Sequence, residues 1–86
     1  MTVLADTERL KIWRFFMRQN VEPTPYTKVD LKAAIDAADA WADNNASSFN
    51  TALPVTFRQN ASTQQKALLL CWVVMKRAGL VLGQES

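Results

Sequence analysis

Eighty-six residues, 49% hydrophobic and 21% charged, make one domain, near the lower limit of what a single core stabilises without disulfides or metals. With two Gly and three Pro there is little material for the turns of an all-β fold, so the chain reads as mostly α. A net charge of +2 is too small to mark a nucleic-acid binder by itself, and the absence of histidine removes the commonest general base and metal ligand.

The N-terminus, Met-Thr-Val-Leu-Ala-Asp, lacks the basic and then apolar pattern of a signal peptide, which places synthesis and folding in a cytosol. Residues 6–20 form the first predicted helix, with Asp6 as N-cap and Thr7 and Glu8 in the first turn. Leu10, Ile12, Trp13, Phe16 and Met17 make its apolar face. Lys11, Arg14 and Arg18 gather on the opposite side beside Phe15. Asn20 to Tyr26 contains Pro23 and Pro25, each lacking a backbone donor, and reads as an extended connector packed through Val21 and Tyr26.

Thr27, with Asp30 three residues on, opens a second helix over 27–45 whose apolar face holds Leu31, Ala34, Ile35, Ala38, Trp41 and Ala42. Its alanines favour helix and let neighbours approach closely. Asp36, Asp39 and Asp43 form an acidic stripe on the other side. Residues 47–53 predict a short third helix, capped by Ser47 or Ser48 and stopped at Pro54, with Phe49 and Leu53 facing inward. Residues 54–61 read as a polar linker pinned by Val55 and Phe57.

Residues 62–79 carry the clearest helix signals. Ser62 and Gln65 form a capping box, Lys76 and Arg77 complement the negative end of the dipole, and Gly79 supplies the left-handed stop. On a helical wheel Ala67, Leu68, Cys71, Trp72, Val74, Met75 and Ala78 share a face about 160° wide, the stripe of a core helix. Leu69, Leu70 and Val73 fall outside it, so the helix is apolar on nearly all sides. The expected architecture is therefore a compact bundle of three long helices and one short one, with helix 62–79 at its centre and a second face left for a partner. The longest apolar run, Ala67 to Met75, is about half of a membrane span. Residues 80–86 close the chain as a short apolar step and a polar, fraying end.

Trp13, Trp41 and Trp72 each lie on the predicted core face of a long helix and read as one shared aromatic core. Cys71, on the apolar face, reads as a buried inert thiol. Two glycines at 79 and 83 cannot make a phosphate loop. Three aspartates on one helix do not converge on a cation, and no acid sits on a predicted apolar face where its pKa would be raised for catalysis. No catalytic, cofactor or metal site is expected, and the reading is non-enzymatic.

The basic stripe Lys11, Arg14, Arg18 and the acidic stripe Asp36, Asp39, Asp43 are complementary, within one chain or between subunits. A head-to-tail contact between unlike surfaces makes rings or filaments. Together with Leu69, Leu70 and Val73 and the aromatic Phe15, these residues are the candidate partner interface. The competing class is a DNA reader built on residues 47–53 and helix 62–79. The connector of about eight residues is too long for a helix-turn-helix, whose turn takes three or four. Only Gln64, Gln65 and Lys66 would be placed to reach bases, so nucleic acid is disfavoured though the C-terminal half is the basic one.

Three pieces carry a resemblance: Asp30 to Trp41 (DLKAAIDAADAW), Ala46 to Pro54 (ASSFNTALP) and Gln65 to Arg77 (QKALLLCWVVMKR). In this order and spacing, with Glu8 to Arg18 as an opening helix, the chain resembles small all-α proteins of tailed bacteriophages and prophages. The resemblance implies a phage-encoded protein of the virion or head–tail module, present in the host cytoplasm during assembly and then in the particle. It carries no functional residue. The expected function is a structural or assembly protein that binds a capsid, portal or tail subunit, or itself, in several copies, with no membrane partner. The alternatives are a small phage DNA-binding or regulatory protein and an inhibitor of one host protein.

Overall fold

The computed structural model describes residues 4–19 and 26–81, with Gln19 described by its backbone alone. These residues form five helices, α1 (Asp6–Gln19), α2 (Lys28–Asp43), α3 (Phe49–Ala52), α4 (Val55–Asn60) and α5 (Thr63–Arg77). The local start and stop signals act as their chemistry requires. Thr27 Oγ1 accepts from the Asp30 N–H at 3.2 Å while the Asp30 carboxylate accepts from the Thr27 N–H at 3.0 Å. Ser62 and Gln65 make the same reciprocal pair, both bonds at 3.1 Å, and Ser48 caps α3 by accepting from the Thr51 N–H at 3.2 Å. Each such cap satisfies donors that the helix itself leaves without partners.

At the other end of α5, Gly79 has φ +83°, the left-handed region that favours glycine. The Gly79 N–H donates to the Lys76 carbonyl and the Leu80 N–H to the Met75 carbonyl, each at 3.0 Å, which closes the helix with the paired bonds of a Schellman turn. At α1, Asp6 is the first helical residue rather than the cap. The Ala5 carbonyl accepts from Glu8 and Arg9, and the Asp6 carboxylate is bonded to Arg9.

The all-α class holds, but the division into elements differs from the expected three long helices and one short one. Residues 54–61 are not a linker: Pro54 ends the approach from α3 and its carbonyl accepts from the Arg58 N–H at 2.8 Å, starting α4. What holds this six-residue helix is Phe57, fully buried with its ring centroid 4.9 Å from Tyr26 and 6.4 Å from Phe16. A helix this short is unstable in isolation, so its existence depends on that tertiary contact. Of the expected connector over 20–26, Tyr26 is buried as anticipated, while Val21 lies outside the described residues.

The hub is also different. α2 packs against all four other helices, whereas the main packing of α5 is on α1 and α2. Alanines 34 and 38, fully buried on α2, let neighbouring helices come close, which larger residues there would not allow. The tryptophans share the core only in part: Trp72 belongs to it and Trp13 packs against it. Trp72 meets Phe15 and Phe16 edge-on at 4.8 and 5.5 Å. Trp41 instead pins α3, with its ring 5.3 Å from Phe49 and its Nε1 donating to the Ser47 carbonyl at 2.6 Å. Trp13 is half-buried beneath Lys28 and Lys32, whose Nζ atoms lie 5.9 and 5.2 Å from the ring centroid.

Helix α5 is rotated relative to the expected wheel. Leu69 and Val73, assigned to a free second face, are 0% exposed and belong to the core with Trp72. Ala67, Leu68, Cys71, Val74 and Ala78, assigned to the core, are on the outside. Apolar area does not choose between the two faces, since Trp72 belongs to both and Leu69 and Val73 are matched by Leu68 and Val74; the charges do. Lys76 and Arg77 lie beside Leu69 and Val73 on the wheel, and both find carboxylates only when that side faces inward.

Candidate partner-binding surface

The charged groups nearest the core join the three longer helices through two clusters, one around Asp39 and one around Glu8. Asp39 is fully buried on α2. One of its carboxylate oxygens accepts from Arg77 Nη1 at 2.5 Å, and the other accepts from the Leu4 N–H at 3.1 Å and lies 3.6 Å from Arg9 Nη1. Arg77 also donates to the Asp39 carbonyl at 3.1 Å and to the Asp43 carboxylate at 2.6 Å, so a cation from α5 stands at the negative end of α2, which has no base in its own last turn. Hydrogen bonding to Asp43 pushes the Arg77 pKa above its ordinary value, opposed by burial and reinforced by the bond to Asp39. On α1, Arg9 Nε is 2.9 Å from Asp36. Lys76, nearly buried, reaches Glu8 at 2.8 Å, and Lys11 approaches the same carboxylate at 3.3 Å. Bonds to Lys76 first and Lys11 second hold the Glu8 carboxyl below its usual range.

Within the chain the two complementary stripes do not meet. Asp36, Asp39 and Asp43 are engaged by Arg9 and Arg77, not by Lys11, Arg14 and Arg18, and Asp39 is interior rather than on a solvated face. They are not gathered into any cluster that could hold a metal ion among the described residues. Arg14 and Arg18 are exposed, and Arg18 lies 5.9 Å above the ring of Phe15. Phe15, read as an exposed edge aromatic, is packed against the core on Trp72. Leu70 is half-buried. Leu69 and Val73 are core residues, so no partner can reach them without opening the domain.

The consequence for the surface is an imbalance of charge. Every described carboxylate is occupied inside the chain: Asp6 and Asp36 by Arg9, Glu8 by lysines, Asp30 by its cap, and Asp39 and Asp43 by Arg77. Arg14, Arg18, Lys28 and Lys32 carry no ion pair among the described residues, although two of them cover Trp13. The network residues Arg9, Lys76 and Arg77 escaped sequence reasoning because each looked like ordinary helix-end or face decoration. Only the packing of α5 on α2 brings Arg77 to Asp39 and Asp43.

What α5 leaves outside is uncharged. Leu68 is 37% and Val74 49% exposed, Ala67, Cys71 and Ala78 lie beside them, and Leu80 and Val81 continue past Gly79 at 53% and 64%. Cys71, expected to be buried, is at the middle of this face, with Sγ 3.9 Å from the Met75 sulfur. Because Lys76 and Arg77 are turned inward, no charged side chain of α5 projects from it. Four of the six large exposed hydrophobics of the described residues are here.

The chain matches no family model, no curated protein and no solved structure.

A cleft of about 330 Å³ lies between α1 and α2, lined by Asp6, Arg9, Leu10, Trp13, Lys32, Ile35 and Asp36. Two of its polar groups, Arg9 and Asp36, are already bonded to each other. Trp13 Nε1 is enclosed without a hydrogen-bond acceptor among the described residues. No helix among the described residues is long and apolar enough to cross a membrane.

Proposed function

We propose that the chain is a non-enzymatic assembly protein of a bacteriophage particle, present in several copies and docking on a capsid, portal or tail subunit through the outer face of α5. The observation that carries the docking role is the outer face of α5 from Ala67 to Ala78, continued by Leu80 and Val81, which is uncharged because Lys76 and Arg77 are turned inward. Exposed apolar surface of this continuity is a cost in a free monomer and marks a contact. The docking face is thus the opposite side of the helix from Leu69 and Val73. The phage setting is supported by the resemblance of the segments at 30–41, 46–54 and 65–77 and of the opening helix to small phage proteins, and it brings the host cytoplasm and the virion as the places of action.

The test is quantitative mass spectrometry of purified particles made with the wild-type chain or with Val74→Glu. The wild-type chain is expected at many copies per particle and the variant at a tenth or less. Absence of the wild-type chain from particles, or full retention of the variant, overturns the reading.

A second reading, a small nucleic-acid-binding regulator, is favoured by one feature, the cations without ion pairs at Arg14, Arg18, Lys28 and Lys32 beside Phe15 and Trp13. Binding to duplex DNA that weakens steeply with salt and is lost in Arg14→Glu/Lys32→Glu supports it over the first.

A further inference from the structure

On the nucleic-acid reading of the unpaired cations, on which this step rests, we infer that the chain grips the phosphate backbone of a double-stranded nucleic acid and reads no base. The grip is a two-by-two array, Arg14 and Arg18 on α1 with Lys28 and Lys32 on α2. Each pair is four residues apart, which sets its members one above the other, about 6 Å apart along the helix axis. The two pairs meet at Trp13. Lys28 and Lys32 bring their Nζ atoms to 5.9 and 5.2 Å from its ring centroid, and Arg14 follows it on α1. All four cations are exposed, and none has an ion pair among the described residues. The carboxylates nearest them are committed elsewhere: Asp36 to Arg9, Glu8 to Lys76 and Lys11, and Asp30 to the cap of α2.

The lack of an apolar centre in this array selects the partner. An interface with a protein sets its charged rim around a desolvated apolar core. Here Trp13 is roofed by Lys28 and Lys32, while Phe15 is packed edge-on against Trp72 at 4.8 Å with Arg18 over its ring. Val29, 74% exposed, is the one large apolar side chain exposed on α1 or α2 among the described residues. One valine makes neither an interface core nor the Trp, Phe or Leu anchor that an anionic membrane surface takes. Phosphates need no such core, because each cation that meets one releases condensed counterions. The sealing of both rings also removes the stacking platform that holds single strands. What remains is charge, and a duplex offers it at about one phosphate per 1.7 Å of axis against one per 3.4 Å along each strand. Contacts to phosphates alone fix position and carry no sequence information.

The probes are labelled DNA duplexes of equal length and of A·T-rich, G·C-rich and mixed sequence, a dT strand of the same length, poly-glutamate, and phosphatidylserine vesicles. Binding of the intact chain to the DNA is read by fluorescence anisotropy, and the other two probes enter as competitors. Four phosphate contacts predict a slope of about −3.6 in log affinity against log salt, a loss of roughly a hundredfold between about 0.05 and 0.2 M. The three duplexes should bind within about threefold of one another, less than one misread base pair costs a base-reading protein. Each of Arg14→Gln, Arg18→Gln, Lys28→Gln and Lys32→Gln should flatten the slope by about 1, while Arg58→Gln, outside the array on α4, should leave it unchanged. Circular dichroism confirms that each variant is folded. A dT strand bound as tightly as the duplexes, or a wider spread among the duplexes, overturns the inference and leaves the nucleic-acid reading standing. A slope that the four substitutions do not change puts the contact elsewhere on the chain and overturns it too. Failure to bind any DNA at about 0.05 M salt, or tighter binding of poly-glutamate or of vesicles, overturns both.

Discussion

Replacing Asp39 by Ala removes the one carboxylate that ties α2 to α5, to α1 and to the segment preceding α1. Its side chain is 0% exposed and accepts from Arg77 at 2.5 Å and from the Leu4 N–H at 3.1 Å. The charged bond contributes about 1.5–3 kcal/mol and the amide bond about 1 kcal/mol, and a buried donor left without an acceptor costs about 1–3 kcal/mol more. Arg77 keeps Asp43 and Arg9 keeps Asp36, which reduces the loss. The cost of taking the Asp39 carboxylate out of water on folding is removed as well. The net expectation is a loss of about 3 kcal/mol, from a total that for a chain of this size is roughly 4–13 kcal/mol. Asp36→Ala is the control, because Asp36 is 61% exposed and exposed pairs are worth about 0–1 kcal/mol. Guanidinium unfolding followed by tryptophan fluorescence measures both. With a slope of about 2 kcal/mol per molar, the Asp39→Ala midpoint should fall by about 1.5 M and the Asp36→Ala midpoint by less than about 0.5 M. If the two variants unfold within about 0.3 M of each other, the network does not join the helices as described.

Adjacent positions on α5 separate core from surface: Val73→Glu buries an unpaired charge and should leave the chain unfolded at 25 °C by circular dichroism, while Val74→Glu should change stability by no more than about 0.5 kcal/mol. Phe57→Ala should cost about 3–5 kcal/mol and release α4, seen as loss of amide-exchange protection over residues 55–60. Glu8 has its carboxyl lowered by Lys76 and Lys11, so its stabilising effect is complete above the ordinary value of 4.5 and is lost as pH falls through the lower folded value. Midpoints from pH 7 to pH 2.5 should therefore decline more in the wild type than in Glu8→Gln, and parallel curves would show that the Lys76 contact carries no pH-dependent stability. Gly79→Ala should cost about 1–2 kcal/mol, because a Cβ at φ +83° is strained although nothing crowds the site; thermal unfolding measures it.

Helix boundaries were legible wherever a side chain caps a backbone group within three or four residues of itself. Thr27 with Asp30, Ser48 with Thr51, Ser62 with Gln65 and Gly79 all acted through local hydrogen bonds that no distant residue needs to complete. Helix α4 was not legible, because Pro54 reads equally as a stop and as a start and only Phe57, meeting Tyr26 and Phe16, decides between them. The same limit applied to the aspartates. Spacing alone put Asp39 on a solvated stripe with Asp36 and Asp43, whereas Arg77, 38 residues away, makes an interior position tenable.

The all-α class, the start of α2 and both ends of α5 were readable from the residues alone, since these follow from propensity, composition and short-range capping, while the cap of α3 stayed open between Ser47 and Ser48. Tertiary structure decided which side of α5 is interior. That helix is apolar around most of its circumference, so its hydrophobic pattern has no unique phase. The phase came from long-range partners: Glu8 for Lys76, Asp39 and Asp43 for Arg77, and the aromatic side chains of α1 for Trp72. Those contacts turn Leu69 and Val73 inward and leave Leu68, Cys71 and Val74 on the surface, so the same rotation that completes the core also exposes the candidate docking face.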